Sequence, residues 1–207
     1  LQYNLIRSHA SGTGNALAPI HVKAAILARL NTLALGKSGV NISVIQLMKE
    51  LINRDITPLI FAHGGVGASG DLVQLAHLAL ILIGEGEVFY KGERKLTKDV
   101  FEIEGLQPIE VKIREGLGLM NGTSVMTGIG IVNVLLADKL VDFSLQASCM
   151  INELVQAYDD HLSEELNNAK LHFGQQIIAK KMRNHLSSSA LTRNRQEHLY
   201  SGENTEE

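Results

Sequence analysis

Residues 64–92 read "GGVGASGDLVQLAHLALILIGEGEVFYKG", and the fold turns on how this stretch is understood. Gly65, Gly67 and Gly70 have the spacing of a dinucleotide-binding fingerprint. In that reading "PLIF" before them is a strand, a helix follows, and Glu85 or Glu87 is the ribose-binding acid roughly 20 residues on. Three features oppose it. The helix opens after the motif, at Asp71, which sets a carboxylate where a pyrophosphate needs free N–H groups. The segment before "PLIF" has a helical pattern. The rest of the chain supplies almost no strands for a parallel sheet.

A second reading puts chemistry in the loop itself. Ser69 can lose water to become dehydroalanine. If the Gly70 nitrogen then reaches the carbonyl carbon of Ala68, a ring closes and a second water leaves. The product is a methylidene-imidazolone, an electrophile made from the chain alone. Such closure needs a compressed backbone, which glycine tolerates. Ala68 adds little bulk, and Gly64, Gly65 and Gly67 let the preceding chain bend. A plain glycine-rich turn that caps a helix uses the same residues, and on composition alone that plainer reading wins, because "ASG" triplets are common.

Outward from this loop the pattern is mainly helical. Ile20, Ala24, Leu27, Leu30 and Leu33 follow a helical period behind Pro19, and Gly36 and Gly39 end the segment. Ile42 to Ile52 predicts a second helix with Ser43 in its first turn. "LVQLAHLALILIG" is apolar on nearly every face and predicts a buried helix capped by Asp71. "GEVFYKGERKLTKDVFEIEG" alternates around a "KGE" turn and reads as a β-hairpin excursion. From Gly122 to about Tyr158 the chain is helical again. That length exceeds the usual 11–12 residues and suggests a bundle. Two amphipathic stretches follow in residues 159–186, and the polar tail over 187–207 is expected to be mobile. No linker divides the chain, so 1–207 reads as one partial domain.

Composition narrows the function. The net charge is −3 with scattered Lys and Arg, unlike a nucleic-acid footprint. The single cysteine, Cys149, excludes an internal disulfide framework, fits a cytoplasmic setting, and reads as a small buried hydrophobe. The longest uninterrupted apolar run, Leu78 to Ile83, is too short for a bilayer. No secretory signal pattern is visible. Asp159, Asp160 and His161 are consecutive and read as a helix start, not a metal site. His172, His185 and His198 read as solvated, and His77 as a hydrogen-bonded core residue. Lys180, Lys181 and Arg183 read as a solvated helix face. The opening "LQYNLIRSH" reads as mid-helix, so the chain is expected to be a piece of something longer.

Four stretches together carry a more specific message: the 64–92 segment, "LQYNLIRSHASGTG", "REGLGLMNGTSVMTG", and the pair "YDDHLSEELN" and "HFGQQIIAKKMRNHL". Their combination resembles the aromatic amino acid ammonia-lyases, which act on histidine, tyrosine or phenylalanine. The resemblance implies a long-helix bundle of the fumarase/aspartase-like type and a homotetramer whose sites are shared between subunits. It implies that Ala68, Ser69 and Gly70 form the methylidene-imidazolone, with no external cofactor. The electrophile makes ammonia a better leaving group, and a tyrosine base removes the β-proton. Asn121 matches the asparagine near the prosthetic group, with a helix N-cap as the plainer role. Asp71 matches a helper of ring formation. Ser8 and His9 fall at the substrate-selectivity pair, and Leu72 in the substrate-binding stretch. A Ser-His pair is the histidine-type choice, so L-histidine to trans-urocanate comes first and tyrosine to p-coumarate second. Many histidine-acting members read "GSVGASGDLAPLAH"; here Gly65, Val73 and Gln74 differ, and Gly118 stands where Ala is usual. The family's "YG…TGFG" tyrosine segment, a later arginine segment and a distant glutamate do not occur in this sequence. The chain is therefore expected to carry the electrophile and the selectivity pair but not to turn over alone.

Overall fold

The computed structural model describes residues 1–66, 69–195 and 197, in two compact units, Leu1–Val134 and Leu135–Glu207. The first unit starts with α1 (Gln2–His9), β1 (Thr13–Ala16), α2 (Pro19–Ala34) and α3 (Ile42–Asn53). Pro19 opens α2, where its fixed φ and missing N–H cost nothing. Asn41 caps α3, its side chain accepting from Ser43 N at 3.0 Å. Then come β2 (Thr57–Pro58), β3 (Phe61–His63) and α4 (Leu72–Leu82). Leu75, Ala76, Leu78, Ala79, Ile81 and Leu82 of α4 are all buried, as its all-round apolar sequence requires.

β4 (Glu87–Tyr90) and β5 (Glu93–Leu96) form the expected hairpin. Lys91 and Gly92 both take left-handed φ, 51° and 81°, the two-residue turn that matches strand twist. The excursion stops sooner than its alternation suggests. Thr97–Glu104 is a helix, α5, because Thr97, Val100 and Phe101 bury one face at helical spacing. "PLIF" also behaves differently from a fingerprint strand. β2 pairs antiparallel with β4, and β3 pairs antiparallel with β1. Among the described residues no parallel ladder exists to support a dinucleotide fold.

α6 (Glu115–Met120) and α7 (Ser124–Leu154) follow. α6 is fixed from several sides. Buried Glu115 accepts from Asn41 N at 2.6 Å and Lys112 N at 2.7 Å. Gln2 accepts from Gly116 N at 3.0 Å, and the Tyr3 hydroxyl from Val111 N at 3.2 Å. α7 crosses α2 at Gly128, where a Cβ would lie 2.4 Å from Ala25 N. The residues around this framework, from Ile6 to Val125, form one buried apolar cluster.

The second unit holds the rest of α7, a 3-10 turn at Asp159–Leu162, α8 (Glu164–Asn168) and α9 (Phe173–Leu186). Ser163 caps α8 by accepting from Leu166 N, so the acidic run is a helix start. Cys149 is buried. The basic face of α9 is only partly solvated. Lys181 pairs with Asp142 at 3.0 Å, Arg183 donates to the Leu162 carbonyl, and Lys180 is exposed. His172 and His185 are exposed, whereas His198 lies outside the described residues. The start of the expected mobile tail is paired: Arg193 N donates to Ala157 O at 2.9 Å and Asp159 N to Arg193 O at 3.0 Å. Most of 196–207 lies outside the described residues.

Much of α7 is apolar and exposed, including Val134, Leu136, Leu140, Phe143, Met150 and Leu154. By length and composition the stretch Glu115–Leu154 is apolar enough to cross a bilayer. Asn133, Asp138 and Lys139 interrupt this stretch, so it contains no long uninterrupted apolar run.

Candidate functional site

Gly67 and Ala68 lie outside the described residues, so the triplet expected to cyclise is seen from Ser69 onward. Ser69 is exposed. Gly70 has φ +84°, and a Cβ there would sit 2.4 Å from the Gly122 carbonyl oxygen. Only glycine meets both conditions. The next amide, Asp71 N, donates to that same oxygen at 2.7 Å. The Gly122 peptide thus leaves no room for a side chain at Gly70 and holds Asp71 at once.

Asp71 stands at the N-cap position of α4 but makes no side-chain cap there. Its carboxylate instead accepts from Val125 N at 2.9 Å and Met126 N at 3.0 Å, at the first turn of α7. The expected local cap is therefore a long-range one. The negative charge meets the positive end of the α7 dipole and satisfies two of its free N–H groups. Asn121 consequently is not the cap of α7. It is the C-cap residue of α6, and its N donates to Leu117 O at 3.0 Å.

Two cavities flank this joint. Gly70, Asp71, Gln74, Leu17, Val125 and Met126 line one of about 480 Å³. Asn121, with Gln2, Leu5, Lys37, Arg114 and Leu117, lines another of about 710 Å³. Leu72 is half-buried in the first turn of α4, packed on the core. Ser8 and His9 end α1. The Ser8 hydroxyl donates to Leu5 O at 2.9 Å, and His9 Nδ1 donates to the same oxygen at 2.9 Å. That leaves His9 Nε2 as the nitrogen free to meet a ligand. Neither Ser8 nor His9 lines the two cavities, so the sequence-predicted residues fall into two groups. Ser69, Gly70, Asp71 and Asn121 gather around Gly122, while Ser8 and His9, the expected selectivity pair, line neither cavity.

His77 is buried on α4, and its Nε2 accepts from Gly12 N at 3.0 Å. Phe61 meets its ring edge-on at 5.3 Å between centroids. Burial pushes the imidazole below its ordinary value of 6.5. The folded state then resists a proton that the unfolded chain takes up. Stability is expected to be full above pH 6.5 and to fall as pH drops below it toward the depressed folded value. Thermal melts of wild type and His77→Gln between pH 7.5 and 5 check this. The wild-type decline should be steeper, and equal slopes would remove His77 as its cause.

Sequence reasoning missed Arg29. It is 4% exposed in the middle of α2, among Val22, Ala25, Ile26 and Leu33. Its Nη2 donates to Gly118 O and, at 3.2 Å, to Leu119 O, the last carbonyls of α6. Its Nη1 faces Gly122, where a Cβ would lie 2.3 Å away. Burial pushes the guanidinium below its ordinary value, and no carboxylate pairs with it among the described residues. An arginine at the i+7 position of an apolar face was the available signal.

Residues 1–203 match the family described as aromatic amino acid lyase. The chain belongs to that family. It is 41% identical over 191 residues to a histidine ammonia-lyase of Myxococcus xanthus, covering 92% of this chain and 38% of that protein. It is 44% identical over 197 residues to a tyrosine 2,3-aminomutase of Chondromyces crocatus, covering 95% and 37%. The crystal structure of a tyrosine aminomutase from Streptomyces globisporus superposes with a TM-score of 0.88 at 35% identity, covering all of this chain and 40% of that one. The chain spans about 38% of the length of the curated relatives it matches. The mainly helical fold is that of the family.

Proposed function

We propose that the protein containing this chain eliminates ammonia from an aromatic L-amino acid, L-histidine to trans-urocanate first and L-tyrosine to p-coumarate second. The reactive group is a methylidene-imidazolone formed from Ala68, Ser69 and Gly70, with no external cofactor. The clamp at Gly70 carries this reading. A glycine at positive φ against a backbone oxygen leaves no room for a side chain, which supports the tight backbone that ring closure needs. When formed, the group supplies an electrophilic carbon that turns the substrate's ammonia into a better leaving group.

The chain's own residues do the holding. Gly122 fixes the Gly70–Asp71 peptide, and Asp71 ties it to the first turn of α7. Asn121, next to the clamp, offers an exposed carboxamide to substrate. His9 Nε2 and the Ser8 hydroxyl suit an imidazole or a phenol and penalise a bare phenyl ring. The apolar exposed length of α7 suits a homotetramer of packed helices rather than a membrane span. A cytoplasmic enzyme without nucleic-acid partners is consistent with the balanced charge and lone cysteine.

Similarity to a tyrosine 2,3-aminomutase favours a second reading, in which the amino group is returned to the neighbouring carbon. Intact mass of the full-length protein tests the shared chemistry. It should be two waters below the sequence mass, and an unshifted mass in an active preparation would sink the proposal. Ultraviolet spectra then separate urocanate from p-coumarate. A β-amino acid product selects the mutase reading, and no product with any of these substrates selects an inactive helical scaffold.

A further inference from the structure

We propose that Arg29 is a positioning residue for formation of the electrophile, acting through Gly122. The proposal rests on the reading that Ala68–Ser69–Gly70 cyclises, and concerns what sets the geometry for it.

The chain of contacts is short. Arg29 projects from α2 and binds the carbonyls of Gly118 and Leu119 at the end of α6. Its other terminal nitrogen lies against the Gly122 Cα, three to four residues further along. The Gly122 carbonyl in turn meets Gly70 and holds Asp71 N at 2.7 Å. Displacing the 118–122 segment therefore displaces the surface that packs against Gly70. Arg29 Nε is buried with no partner among the described residues, so the guanidinium's hydrogen bonds there come from its terminal nitrogens. A cation also suits this place electrostatically, since the carbonyls at a helix C-terminus carry partial negative charge. Burying it away from any carboxylate is costly. An apolar side chain on this face of α2 would avoid that cost but would leave the last carbonyls of α6 unpaired. Gly122 must be glycine for the guanidinium to pass this close.

The test compares Arg29→Met, Arg29→Lys and Ile26→Ala in the full-length protein. Ile26 is buried one turn away on the same face of α2 and has no polar group to hold the 118–122 carbonyls, so Ile26→Ala controls for lost stability. Each soluble protein is checked for native helix content, then followed by intact mass over time after synthesis. Arg29→Met should lose its two waters on the order of 10²-fold more slowly than wild type, the usual cost of misplacing reacting atoms by about 1 Å. Arg29→Lys keeps the cation without the planar fork and should fall between the two. Ile26→Ala should melt lower but mature at the wild-type rate. If Arg29→Met does not yield soluble protein, a wild-type maturation rate in Arg29→Lys overturns the proposal, and a slowed one supports it. Equal maturation of Arg29→Met and Ile26→Ala also overturns it. If wild type itself shows no mass loss, the cyclisation reading fails first and this proposal with it.

Discussion

Gly70→Ala is expected to block the loss of two waters and to destabilise the first unit by about 2–4 kcal/mol. Two costs combine. An L-residue at φ +84° pays about 1–2 kcal/mol for the left-handed backbone. The added methyl would also sit 2.4 Å from the Gly122 oxygen. That oxygen cannot retreat freely, because Asp71 N holds it and Arg29 packs behind Gly122. Relief must come from opening the Gly70–Gly122 contact, which loosens the Asp71 cap on α7 as well. Denaturant unfolding and intact mass measure the two effects on one sample. A variant with wild-type stability would show that the clamp bears no strain-sensitive contact.

Ser69→Ala is expected to leave stability unchanged while having the same effect on the chemistry. Ser69 is exposed, and its hydroxyl has no hydrogen bond among those described, so the melting temperature should hardly move. Without that hydroxyl no dehydroalanine forms, and the mass should equal the sequence mass. Turnover by the full-length enzyme should fall on the order of 10³-fold or more, as for removal of a covalent catalyst. Retention of full activity would exclude this electrophile. The pair of variants separates the reacting atom from the geometry imposed on its neighbour.

Local pattern made the main helices legible. α2, α3 and α4 follow their apolar periods closely, and the long apolar reach after Gly122 is one helix, α7. α5 was hidden because "LTKDVFEIEG" alternates over a few residues while its buried set, Thr97, Val100 and Phe101, has helical spacing. A short segment satisfies both periods. The glycine loop was legible as a tight bend, but its clamp was not, since the pressing group is a backbone carbonyl 52 residues away in sequence. The role of Asp71 was half legible. A carboxylate before a helix signals a cap, yet nothing local says that the capped helix is α7 rather than α4. Arg29 was visible as a charge on an apolar face, but its meaning depends on where α6 ends.

The Asp71 link to Val125 spans 54 residues and has a consequence for the order of events during synthesis. While the chain emerges, the loop at 64–70 is complete long before α6 and the start of α7 exist. Contacts that close so long a segment form late, after the local helices. On the proposed chemistry, a ribosome-bound chain stopped near residue 110 should still carry its serine hydroxyl. The two missing waters would then serve as an irreversible timestamp: any molecule that lacks them has, at least once, brought its distant segments together, even if it later unfolds.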